Sequence, residues 1–413
     1  VNSDLEATRA VADALLYEGY LLYPYRASSG KNQCRWQFGV LGPPGAATAG
    51  VGEPNSLSAQ FPVCGAADMD VTVRFLQLQH RRVEQRTQSG YTVVDRLETP
   101  AGPLLTWDEA VEVECRLDGV SLAQPVRLPV TARAHTEVED VEGGRIIRQR
   151  RAVAGRVEVS ACNQGPAQLV TVTVRNTGAA ATSKSDALSR SMISAHVIVR
   201  LHAGRFISLL EPPAGLQPLV DLCRQDRCFP VLAGSPACDD VLLISPIILY
   251  DHPEIAPESR GALYDATEID EILTLRVMAL TDGEKAEARA TDPRAARVVE
   301  QCDGMTAEAM LGLHGARRDI DPAQNCVIVD GVPVQAGCRV RLRPTRRADA
   351  QDMFISGRTA RVTAVHEDLD GAVHIAVVVE DDPAADLHDW YGRYLYFSPE
   401  EIDPFPERSP TWR

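Results

Sequence analysis

With 413 residues, 45% of them hydrophobic and 24% charged, the chain has a globular composition and is long enough for two or three domains. Its net charge of -15 argues against nucleic acid or an anionic membrane surface as the main partner, because both require clustered Lys and Arg. No apolar run reaches the roughly 18 residues of a membrane span, and the N-terminus has acids and arginine where a secretory signal needs a basic start and an apolar stretch. A cytoplasmic protein is predicted, its ten scattered cysteines reduced.

The first predicted element is an amphipathic helix over Asp4 to Tyr20. Leu5, Thr8, Val11, Ala12, Leu15 and Leu16 share its face, and Ser3 is placed to cap it. "GYLLYPYRASSGKNQCRWQFGVL" follows, with Gly-Lys, a cysteine and a tryptophan in one loop. A phosphate-binding loop needs Gly-x4-Gly-Lys-Ser/Thr before a helix, so that backbone N–H groups wrap the phosphates and a hydroxyl reaches magnesium. Here Tyr25 replaces the first glycine, Asn32 stands where the hydroxyl belongs, and "CRWQFGVL" alternates like a strand. The stretch therefore reads as a turn into a sheet, with Arg26 and Lys31 available to an acidic partner.

From Met69 to Val159 the pattern is almost all strand, and it changes phase between Phe75 and Leu76, as a bulge or bend would make it do. "QLVTVTVRNTG" reads as the edge or meander of a β-sandwich. In "ISAHVIVRLH", Ala195, Val197, Val199 and Leu201 fall on one face and His196, Arg200 and His202 on the other, which reads as solvated. A helix is predicted through Ile269, Ile272, Leu273, Val277 and Leu280, stopping at Asp282-Gly283, with a second helix from "DPRAARVVEQC". After about Asp330, short strands with turn punctuation fit a five-stranded SH3-like barrel. The predicted organisation is a β-rich α+β chain. Residues 1–180 form an N-terminal helix plus a β-sandwich-like domain, 181–328 an α+β segment, and 329–413 the small barrel.

Candidate chemistry is sparse. Cys223, Cys228 and Cys238, with His252 downstream, are the one set approaching metal-ligand spacing, and zinc or nickel is the ion they would suit. Buried thiols explain the same cysteines with no metal and no cofactor. Acids from Asp251 to Glu271 suggest a hard-cation or acid–base site, or simply the cap and dipole-matched first turn of the next helix. No Cys-x-x-Cys, Gly-x-Ser-x-Gly or His-Glu-x-x-His occurs, so no catalytic residue is assigned. Trp390, Tyr391 and Tyr394 are suited to line a protein-binding groove or to fill the barrel.

Three stretches, "YEGYLLYPYRASSGKNQCRWQFGVL", "LISPIILYDHPEIAPES" and "ADAQDMFISGRTARV" with the following "DDPAADLHDWYGRYLYFSPEEI", resemble uncharacterised accessory proteins encoded beside actinobacterial-type high-affinity [NiFe]-hydrogenases. The resemblance implies a helper in hydrogenase maturation that binds a hydrogenase subunit or a maturation factor, and it carries no catalytic residues. The cysteine pairs of a hydrogenase large subunit are absent from the sequence. The expected function is thus a non-catalytic accessory or assembly protein. The alternative is a metal-binding protein or metalloenzyme using residues 223–271.

Overall fold

The structure is a computed structural model. It describes residues 2–20, 22–29, 32, 38–100, 102–213, 215–255, 270–305, 327–329, 332–343, 356–367, 373–380 and 395–405. The chain forms two compact units, residues 1–314 and 315–413.

The first unit opens with helix α1 (Asn2–Tyr17). Ser3 lies inside this helix rather than capping it. The strands follow in order: β1 (Ser56–Cys64), β2 (Asp68–Thr87), β3 (Gly90–Val94), β4 (Arg96–Thr99), β5 (Gly102–Leu105) and β6 (Trp107–Ser121). Next come β7 (Val126–Ala132), β8 (His135–Val141), β9 (Gly144–Arg150), β10 (Val153–Gln164) and β11 (Ala167–Asn176). After helix α2 (Lys184–Ser189) come β12 (Ile193–Leu201), β13 (Arg205–Phe206), helix α3 (Gln217–Val220), β14 (Gln225–Asp226), β15 (Phe229–Leu232) and β16 (Val241–Ser245). Helices α4 (Asp270–Met278), α5 (Asp282–Thr291) and α6 (Pro293–Asp303) complete it.

Two antiparallel sheets are layered across one apolar core. The first runs β13-β1-β11-β10-β7, with β14 also on β1; the second runs β15-β16-β12-β2-β9-β8, with β3 and β6 also on β2. Alternation makes this possible. Leu57, Ala59, Phe61 and Val63 of β1 and Val170, Val172 and Val174 of β11 enter the core from one side. Met69, Val71, Val73 and Phe75 of β2 meet them with Ala195, Val197, Val199 and Leu201 of β12. Phe61 and Phe206 stack edge-on at 5.5 Å. β11 lies inside its sheet, between β1 and β10, not at an edge. Residues on both sides of position 180 build the second sheet, since β12 pairs with β2.

The phase change at Phe75/Leu76 has a different cause from the predicted bulge. β2 keeps unbroken register with β6 from Val71 to Arg81. Phe75 is the last β2 residue in the inter-sheet core, whereas Leu76 and Leu78 belong to a second core with Tyr17, Tyr20, Leu273, Val277 and Val299. The irregularity sits across the ladder in β12, between Ile193 and His196, where Ser194 takes φ 53°.

Helices α4 to α6 follow local signals. Asp282-Gly283 opens α5 rather than only stopping α4, because Thr281 and Glu284 form a reciprocal capping box. Asp292 caps α6, whose first residue is Pro293. The Asp292 carboxylate also accepts the Tyr20 hydroxyl proton at 2.8 Å, which ties α6 to the end of α1.

The second unit does not form the predicted SH3-like barrel. β17 (Val327–Val329) and β18 (Val332–Val334) make a hairpin. β19 (Arg339–Leu342), β20 (Thr359–Glu367), β21 (Val373–Val379), β22 (Leu395–Phe397) and β23 (Ile402–Pro404) form a five-stranded antiparallel sheet in the order β22-β21-β20-β19-β23. The sheet is open: among the described residues its edges, β22 and β23, do not pair with each other, and each is three residues long. Its core is Val-rich and takes Val329 and Val334 from the β17–β18 hairpin, so apolar surface is covered by a separate hairpin rather than by curling the sheet shut. On β22, Phe397 is buried in this core, whereas its neighbour Tyr396 is 57% exposed.

Gly144 opens β9 against Gln85 of β2, and a Cβ there would stand 2.1 Å from the Glu84 carbonyl oxygen. Gly144→Ala must push the two strands apart. A loss of roughly 1–3 kcal/mol is expected from such overpacking, read as a lower urea midpoint; an unchanged midpoint would disprove the close approach.

Candidate functional site

The four residues read as metal ligands do not converge on a metal site. Among the described residues no group of three or more His, Cys, Asp or Glu side chains could hold an ion. Cys223 follows α3 and gives its thiol to the Leu219 carbonyl at 3.6 Å. Cys228 is packed in the inter-sheet core, whereas Cys238 lies in a separate cluster beneath α1 with its thiol 3.1 Å from Asp240 Oδ1. Burial raises all three thiols, to about 11, 12 and 11, so the thiolates a metal needs are disfavoured. His252 is turned by a φ of 53° so that its backbone N–H bonds the Leu232 carbonyl at 2.7 Å. Asp251 beside it accepts from Ser208 Oγ at 2.5 Å and from the Leu232 N–H at 2.8 Å, so the pair fastens a loop.

Of the predicted partner-binding residues, Arg26 is engaged internally: its guanidinium pairs with Glu284 at 2.8 Å. Asn32, read as a failed phosphate-loop position, is buried and donates to the carbonyls of Leu22 and Arg26, closing the loop on itself. Lys31, Trp390, Tyr391 and Tyr394 lie outside the described residues, as do Glu258, Asp265 and Glu268 of the acidic stretch.

His196 is not on a solvated face. The side of β12 opposite the inter-sheet core is covered by α1, and His196 is completely buried. It stands beside Arg74 on β2, and Arg74 beside Glu114 on β6, across three adjacent strands. Its Nδ1 lies 2.9 Å from the Ser194 carbonyl across the β12 irregularity. Arg74 bonds Asp13 of α1 at 2.5 Å and Glu114 at 3.4 Å, and Arg9 of α1 reaches Glu114 at 2.6 Å. Burial would raise the Glu114 carboxyl, but hydrogen bonds from Arg9 and Arg116 outweigh it and hold the group at about 2. The same burial, with the Arg74 charge, pushes His196 down to about 3. These charges dock the first helix on the sheet. His202, at the far end of β12, is exposed and sits between Asp68 (2.8 Å) and Asp70 (2.9 Å), which raise its affinity for a proton.

Among the described residues, two surfaces stand out as open to a ligand. The first is a cleft of about 680 Å³ where α2 leans over β2, β6 and β9. His80 Nδ1 is 2.7 Å from Asp108 Oδ1, and this bond raises the imidazole above its usual value. On the facing wall, Arg151 and Arg190 both hold Asp186 Oδ1, at 2.8 and 2.9 Å, and the Thr182 N–H reaches its other oxygen at 3.2 Å. Ser183 caps α2 through the Asp186 N–H.

The second surface is a ribbon. Beyond the sandwich, the end of β2 carries β3 on one side and β9 on the other, with β8 outside β9. β8 is exposed from His135 through Asp140, on both faces, and among the described residues no strand lies beyond it. Its acids sit opposite arginines of β9: Glu137 faces Arg148, Asp140 faces Arg145, and Glu139 bonds Arg148 at 2.7 Å. Tyr91 of β3 lies under the Arg145 guanidinium at 4.0 Å. Neither surface was picked out from the sequence. Only the four-residue spacing of Asp186 and Arg190 was legible there; the His80–Asp108 couple depends on strand register across 28 positions.

No family model matches the chain. No curated protein matches it either, so the resemblance to hydrogenase accessory proteins gains no support from these comparisons. Among the described residues, no helix is long and apolar enough to cross a membrane.

His196 supplies a pH test. Below pH 6.5 the unfolded chain protonates this imidazole, while the folded chain resists down to about 3. The unfolded state then binds more protons, so stability falls as pH drops. In His196→Leu the decline between pH 6.5 and 5, measured by urea unfolding, should be shallower than in the parent; equal slopes would rule out a buried neutral histidine.

Proposed function

We propose that this chain is a non-catalytic binding protein that captures a basic, extended segment of a protein partner along the free edge of β8. The observation that carries the reading is an edge strand of seven residues, exposed on both faces over His135–Asp140 and outermost among the described strands of its sheet. Such an edge offers a row of backbone N–H and C=O groups to an incoming strand. Ladder hydrogen bonds supply affinity without sequence preference, so specificity must come from side chains. Here Glu137, Glu139, Asp140 and the following Glu142 make the edge acidic, and Val138, 56% exposed, offers one apolar contact. Lysine or arginine on the partner strand complements that pattern, and the overall charge of -15 steers a basic segment toward the protein. An assembly or accessory role is the class of function that such an edge serves. A part in [NiFe]-hydrogenase maturation belongs to the same class and rests on the sequence resemblance alone.

The probe is a fluorescent peptide of about seven residues in which Lys alternates with Val or Thr, matched to the length of β8. Saturable, salt-weakened anisotropy is expected for it and none for the Glu-Val counterpart. Replacing Glu137→Lys and Asp140→Lys together should weaken binding by about tenfold or more, the usual scale for reversing close charges. Equal binding of the acidic peptide, or an unaffected double variant, would overturn the reading.

A further inference from the structure

We propose that the cleft between α2 and strands β2, β6 and β9 is a second, independent binding site, for a small hydroxyl-rich molecule that carries an oxyanion. Its volume, about 680 Å³, falls within the range of small-molecule sites and is far larger than a bare ion needs. The ligand class follows from the polar groups lining it. The two carboxylates are already occupied: Asp108 holds His80, and Asp186 is shared by two guanidinium groups and the Thr182 N–H. What the walls still offer is mostly donors. Arg151 and Arg190 each use one nitrogen on Asp186, and a guanidinium carries five N–H bonds. With His80 Nδ1 turned to Asp108, Nε2 is left for a ligand. Ser183 accepts from Asp186 N–H through its oxygen, which leaves its own proton to donate.

The charge count points the same way. Two arginines against Asp186 leave one positive charge in excess, and His80 and Asp108 cancel when the imidazole is protonated. This local excess stands on a chain whose net charge is -15. An incoming oxyanion brings the negative charge and the acceptor oxygens that the walls lack, and Arg presents its donors in the fork that carboxylate and phosphate oxygens fit. The remaining volume, flanked by Ser185 and Gln149, suits a hydroxylated body.

The site is testable on the full chain by titration calorimetry at low salt with glucose 6-phosphate, gluconate, inorganic phosphate and glucose. Saturable binding of glucose 6-phosphate or of gluconate is expected, and whichever is tighter identifies the oxyanion as phosphate or carboxylate. Inorganic phosphate should bind more weakly than the better of the two, because it leaves most of the cleft empty. Arg151 is half-exposed at the surface, so Arg151→Gln should fold normally and weaken binding by about tenfold, the scale of one charge-assisted contact. Ser185→Trp fills the cleft without touching a charge and should abolish binding. Three results would each overturn the proposal: no saturable heat with either charged sugar, glucose binding as tightly as they do, or both variants binding like the parent.

Discussion

The length of one strand constrains everything else in the first unit. β2 has 20 residues, about 66 Å at ordinary rise, and it needs hydrogen-bond partners along both edges for that whole distance. No single partner is long enough. One edge is shared by β12 and then β9, the other by β6 and then β3. The handover fixes three zones along one strand: a two-sheet sandwich at its start, a helix-covered stretch in its middle, and a ribbon at its end. The helices are placed by the middle zone, where Leu76 and Leu78 need covering, and the ribbon is what remains beyond it.

Charge inside the helix-covered zone gives that covering a unique geometry. Arg81 is nearly buried, and burial lowers its pKa; it is offset by Glu109 at 3.0 Å and by the Leu105, Ala290 and Thr291 carbonyls. The last two belong to the end of α5, so the guanidinium reads the helix terminus directly. Arg74 performs the equivalent task for α1 through Asp13. Removing Glu109 from the buried Arg81 pair would cost roughly 3–5 kcal/mol, because the guanidinium is left charged and dry. An apolar interface alone would tolerate sliding of the helices; these two arginines resist it, since moving α5 takes the Ala290 and Thr291 carbonyls from Arg81 and moving α1 takes Asp13 from the buried Arg74.

The parts of this fold that depend on neighbours in sequence were legible, and the parts that depend on neighbours in space were not. Alternation in Val170–Val174 and in Ala195–Leu201 marks inward faces correctly because period two is local. The same alternation correctly set His196 opposite Val197, but it carries no information about what covers the second face, and α1 covers it. The Phe75/Leu76 phase change was a real signal with the wrong cause: one strand passes from one core to another. The α5 start was written in the sequence as Thr281-x-x-Glu284, a capping box that outranks the turn tendency of Asp282-Gly283. The cysteine spacing misled because ligand spacing predicts a site only if the chain folds back between the ligands, and here the segment instead runs through two cores. The small sheet misled because strand count and order do not decide closure; whether its edges meet does.

An acidic edge also disfavours pairing of the ribbon with its own kind. A free strand of seven residues is a template for any other strand, and the commonest other strand in solution is a second copy of β8. Antiparallel self-pairing would bring Glu137, Glu139 and Asp140 of one copy close to the same acids of the other, and each like-charge contact is unfavourable. The arginines of β9 offset those acids only from within, since Arg148 already spends its charge on Glu139 and on Glu109 at 3.4 Å. Repulsion therefore works against the homotypic pairing that the backbone alone would permit, and favours strands of opposite sign at this edge. The charge pattern that disfavours self-pairing and the one that would select a partner are the same pattern.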